Sequence, residues 1–89
     1  MPKAEISWKR TDADGVKWQV YAQHVGRDWI FYARERRYDR WEHTEKPPLE
    51  DWLSLLDAIE RGVPRRRYKP DELDRVRQKI RELFPEAEF

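Results

Sequence analysis

Apolar residues recur at every second position up to Arg34 and at helical spacing from Leu49 onward. This change of period divides the 89-residue chain into a sheet-forming half and a helix-forming half. Val16, Trp18, Val20 and Ala22 alternate with Lys17, Gln19, Tyr21 and Gln23, which predicts a strand with a core face and a wetter face. Trp29, Phe31 and Ala33 alternate with Ile30, Tyr32 and Arg34 in the same way. Between the two runs, Val25-Gly26-Arg27-Asp28 supplies a tight turn, and the Gly-X order suits a type II′ hairpin. With Gly26 and Arg27 at its centre, Ala22 faces Phe31 and Val20 faces Ala33, so the apolar faces coincide.

Parity selects the preceding turn. A two-residue turn at Asp14-Gly15 would set Trp8 opposite Tyr21, and a four-residue turn would set it opposite Gln19. Both choices put Trp8 on the wetter face. A three-residue turn, Ala13-Asp14-Gly15, sets Trp8 opposite Val20 and Ile6 opposite Ala22, with Gly15 free to take the left-handed conformation that turn requires. A further short strand is expected over Tyr38 to His43.

Pro47-Pro48 precedes the helical half, with Pro48 expected at the first helical position and Glu50 and Asp51 near the positive end of the dipole. Leu49, Trp52, Leu53, Leu56 and Ile59 form one stripe, and Gly62 is expected to close that helix in the left-handed conformation, before Val63 and the stop at Pro64. A second helix opens at Pro70, with Tyr68 and Leu73 placed as a hydrophobic staple. Leu73, Val76, Ile80, Leu83 and Phe84 form its stripe, and Pro85 ends it. The expected fold is α+β: an antiparallel β-meander of three strands, extended by the fourth, followed by two α-helices packed on one face. One domain is expected over 1–89, with strands over about 5–43 and helices over about 48–61 and 70–84. The core is expected to hold Trp8, Trp18, Val20, Phe31, Trp52, Leu56, Ile59, Val76, Ile80 and Leu83.

Composition explains how so short a chain sustains a core. Only 38% of residues are hydrophobic, yet five Trp, four Tyr and three Phe are among them, and each ring buries about 150–250 Å². Charged residues make up 42%, and 19 basic against 18 acidic leaves a net charge of +1. So even a balance exerts no whole-protein pull on nucleic acid or an anionic membrane, and any such attraction must be local. No Cys is present, which excludes disulfides, thiolate metal sites and a Cys nucleophile. The longest aromatic-apolar run, Trp29 to Ala33, is too short for a signal peptide or a membrane span, so a cytoplasmic location is the default expectation. The lack of Asn and Cys beside many charges of both signs also fits a protein from a hot environment.

Two segments carry candidate binding chemistry. Arg61, Arg65, Arg66, Arg67 and Lys69 occur with no acid between them, and guanidinium forks bind phosphate bidentately. The plainer reading is a solvated loop whose charges meet Glu60, Asp71 and Glu72. In the second segment Arg34, Arg36, Arg37 and Arg40 are interleaved with Tyr38 and Trp41, and the register adds Lys17, Tyr21 and Tyr32 on the wetter sheet face. Cations that track a backbone beside rings that stack on bases are what a single-stranded nucleic acid requires. The plainer reading is cross-strand pairing on a solvent face, with Trp41 capping one end of the core. The glycine-aromatic motifs of the RRM family are absent. His24 and His43 stand apart, His43 with Glu42 and Glu45 lacks zinc spacing, and Ser7 and Ser54 lie outside any nucleophile elbow. No catalytic residue, cofactor or metal is therefore expected. The sequence points to a small non-enzymatic binding module, with a protein partner or a second copy of the chain favoured over RNA or single-stranded DNA because the net charge is near zero.

Overall fold

The computed structural model describes residues 6–38 and 40–87. The order of elements is β1 (Ile6–Thr11), β2 (Lys17–Val25), β3 (Asp28–Glu35), β4 (Glu42–Thr44), α1 (Leu49–Gly62) and α2 (Pro70–Leu83). The strands form one antiparallel sheet in the order β1-β2-β3-β4, so the fold is an α+β meander followed by two helices. Two compact units are present, Met1–Pro47 and Pro48–Phe89.

In the first unit the register follows from parity. Ile6 lies opposite Ala22 and Trp8 opposite Val20; Ala22 lies opposite Phe31 and Val20 opposite Ala33. The Asp12 amide donates to the Val16 carbonyl and the Gly15 amide to the Asp12 carbonyl, both at 3.0 Å, which encloses the three-residue turn Ala13-Asp14-Gly15. Gly15 sits at φ 82° there, a conformation that costs a Cβ-bearing residue about 1–2 kcal/mol. In the second hairpin Val25 pairs with Asp28, and of the two residues between them Gly26 alone has positive φ, as type II′ requires. Val20, Ala22, Trp29 and Phe31 are buried, and Trp8 meets Phe31 edge-on with centroids 6.0 Å apart.

Trp8 and Trp18 are only half-buried, against the expectation of core positions. Trp8 stands on an edge strand, and Trp18 lies beneath the Arg10 guanidinium with its indole nitrogen turned toward Asp12. The fourth strand is also displaced from Tyr38–His43 to Glu42–Thr44. The chain first turns at the end of β3, where the Tyr38 amide donates to the Glu35 carbonyl.

In the second unit α1 and α2 form a helical hairpin, and Arg77 reaches Glu60 across it at 3.9 Å. Pro48 is the N-cap rather than the first helical residue: at ψ 160° it remains extended, and its carbonyl accepts from the Asp51 amide at 3.0 Å. Trp52, Leu55, Leu56 and Ile59 are buried on α1, and Val76 and Ile80 on α2. Leu83 is 47% exposed, contrary to expectation, at the last position of α2.

The end of α1 differs from the expected cap. Gly62 is not left-handed, and Val63 continues the right-handed path at φ −60° and ψ −50°. The positive φ falls on Arg66, at 59°. The Arg67 amide donates to the Gly62 carbonyl and the Arg66 amide to the Val63 carbonyl, the paired bonds of a Schellman motif set four residues later. Gly62 has a different task. A Cβ built there would stand 2.5 Å from Cδ2 and 2.9 Å from Cε2 of Tyr68, so the missing methyl makes room for that ring.

Candidate nucleic-acid interface

Alternation along β2 and β3 places Lys17, Gln19 and Tyr21 on one face of the sheet with Tyr32 and Arg34, and β4 adds His43 opposite Tyr32. Tyr21 and Tyr32 stack with centroids 4.8 Å apart and 19° between planes. Trp41, arriving from the connection after β3, meets Tyr21 edge-on at 4.7 Å. Tyr21 is thereby only 2% exposed, which corrects its expected place on an open surface: it is the floor of an aromatic cluster, with its own face covered by two rings. Burial, followed by the nearby Tyr32 hydroxyl, pushes the Tyr21 phenol above its ordinary pKa. Tyr32 and Trp41 are half-buried, and His43 is exposed with its ring 5.6 Å from that of Tyr32.

Arg34 ties the cluster to β2 and to the segment after β3. Its Nε and Nη2 donate to Oε1 of Gln19 at 3.0 and 2.7 Å, and its Nη1 donates to the Tyr38 carbonyl at 3.0 Å. The same guanidinium lies 5.2 Å from the centroid of Trp41. Arg37 lies over the exposed Tyr38 ring at 5.5 Å and donates to Glu35 at 2.8 Å. Arg36 and Arg40 are exposed. Of the surface read from the sequence, then, Tyr21, Tyr32, Arg34 and Trp41 form one connected cluster. Tyr38 and Arg37 flank it, and Lys17 stands further along the same face.

The basic loop belongs to the other unit. Arg61 is on α1 and pairs with Asp57 at 2.9 Å, while Arg65, Arg66, Arg67 and Lys69 are exposed around the Schellman turn. Arg75 on α2 reaches Glu72 at 3.1 Å.

The sequence reading missed Asp12. One of its carboxylate oxygens accepts from the Asp14 and Val16 amides at 2.9 and 3.0 Å, and the other from the Trp18 indole at 2.8 Å. The Trp18 bond chiefly, then the Val16 amide, holds its carboxyl below the usual carboxylate range. An Asp opening a three-residue hairpin turn is a legible signal for such amide capture. The indole bond is not, because it depends on the rotamer of a residue six positions later.

Among the described residues no cluster of His, Cys, Asp and Glu suits a metal ion, and no helix is long and apolar enough to cross a membrane. The fold and this face define a class only, a small α+β chain presenting a ring-and-cation sheet surface. Comparison with known proteins finds no matching family model, no matching curated protein and no matching solved structure.

Proposed function

We propose that this chain is a non-enzymatic module that binds single-stranded nucleic acid on the sheet face built from β2, β3 and β4. The observation that carries the reading is the fixed cluster of Tyr32 and Trp41 on Tyr21 with Arg34 held over Trp41. Rings held in place stack on bases with little loss of side-chain freedom, and cations beside them meet the backbone phosphates. The near-zero net charge favoured a protein partner on sequence grounds. That consideration weighs less once cations and rings share one face, because the local field and not the total charge meets the strand.

The test titrates a labelled mixed-sequence oligonucleotide at two salt concentrations against wild type, Tyr32→Ala, Trp41→Ala and Arg34→Gln. Binding by wild type should fall steeply with salt, with a slope of about 0.7 per phosphate contacted. Each ring that stacks on a base should contribute roughly 1–3 kcal/mol. Absence of binding at low salt would overturn the reading. Loss on removal of Arg65, Arg66 and Arg67, with the ring variants unaffected, would move the interface to the helical unit.

A further inference from the structure

The same sheet carries an open depression of about 270 Å³ lined by Lys9, Arg10, Thr11, Lys17 and Arg36; Lys9, Lys17 and Arg36 bring three cations to it beside the Thr11 hydroxyl, whereas Arg10 pairs with Trp18 and by alternation projects from the opposite face. The register accounts for most of this convergence. Thr11 lies opposite Lys17 and Lys9 opposite Gln19. The Arg36 amide donates to the Lys17 carbonyl at 2.9 Å, which draws the residue after β3 to the start of β2. Arg10 is held differently, 5.8 Å from the centroid of Trp18, whose indole is in turn anchored on Asp12. Lys9, Thr11, Lys17 and Arg36 are exposed, so the depression opens to solvent.

Three cations exceed the requirement of an internal phosphodiester, which carries one charge. A phosphomonoester carries about −1.5 to −2 at neutral pH and presents three strong acceptor oxygens, which suits a lysine pair, a guanidinium fork and a hydroxyl. Lys17 lies four residues from Tyr21 along β2, roughly 13 Å at about 3.3 Å per residue, so the depression stands beyond the ring cluster on the path of a bound strand. We propose that this depression is the subsite for a terminal phosphate: it holds the phosphomonoester end of the strand whose bases stack on Tyr32 and Trp41. The inference rests on the nucleic-acid reading above.

Three unlabelled oligonucleotides of one sequence, bearing a 5′-phosphate, a 3′-phosphate or neither, would compete with a labelled strand for the full chain. The proteins compared would be wild type, Lys9→Gln/Lys17→Gln and Tyr32→Ala, each checked for folding by circular dichroism. One phosphorylated strand should compete about tenfold better than the unphosphorylated one on wild type. The Lys double variant should treat all three alike, whereas Tyr32→Ala should weaken all three and keep the preference. Inorganic pyrophosphate, added as a second competitor, should remove the preference before it displaces the strand. Equal binding of all three by wild type would overturn the terminal-phosphate site and leave the strand reading standing. A preference that survives the double variant would overturn the location. If no oligonucleotide binds, both proposals fail, and pyrophosphate binding in that case would assign the depression to a free phosphate compound.

Discussion

The indole nitrogen of Trp18 donates a 2.8 Å hydrogen bond to the carboxylate of Asp12, across the turn that joins the first two strands. The other oxygen of that carboxylate accepts two amides of the same turn, so one side chain closes the hairpin and orients the ring on which Arg10 rests. Because these bonds favour the ionised form, the folded pKa of Asp12 lies below its unfolded value. The stabilisation is complete above the unfolded pKa and is lost as pH falls through the folded one. Wild type should therefore resist urea better than Asp12→Ala at neutral pH, and the difference should shrink in acid. A constant difference down to the acid limit would mean that Asp12 acts in its neutral form.

Tyr21 supplies the opposite case. Its phenol is pushed up by burial, so the folded state favours the protonated form. The stability it contributes is present below the unfolded pKa and is lost as pH rises toward the folded one. An alkaline titration followed by phenolate absorbance should show a late component, and Tyr21→Phe should remove it. Truncation to Ala should cost about 3–5 kcal/mol, as for other buried rings. A loss below 1 kcal/mol on the same scale would show that the cluster has no packed floor.

Gly62→Ala should destabilise by about 1–3 kcal/mol, through overpacking against Tyr68 and not through backbone strain. The cause can be isolated by a double-mutant cycle. In a Tyr68→Ala background the added methyl should be tolerated, because the atoms it would meet are gone. Additive losses in urea denaturation would exclude the ring contact as the cause.

Arg66→Gly should stabilise the chain by about 0.5–1 kcal/mol. The left-handed conformation costs a side-chain-bearing residue more than it costs Gly, and part of that gain is offset by the greater freedom of Gly when unfolded. Arg66→Asn should give a smaller gain in the same direction. A lowered urea midpoint for both variants would mean that this guanidinium holds the turn through its own contacts.

Local pattern and parity carry the sheet. A strand's side chains alternate strictly, so a turn of the wrong length would put Trp8 on the wrong face, and this alone selects Ala13-Asp14-Gly15 and the pairing of Trp8 with Val20. Helix starts are equally local: Pro70 at the first position and the acids beside it identify α2 without reference to anything distant. What escaped such reading depends on groups brought together from separate segments. Tyr21 occupies a wet-face position by alternation and is buried because Trp41, twenty residues later, folds over it. Gly62 has the composition of a helix stop, yet the turn closes at Arg66, since a gap at residue 62 is what admits the Tyr68 ring. The cations of the depression come from β1, β2 and the residue following β3, and no linear motif joins them. Periodicity sets which side of an element faces inward. Which side chains then meet is a matter of packing, and packing depends on residues far apart in the chain.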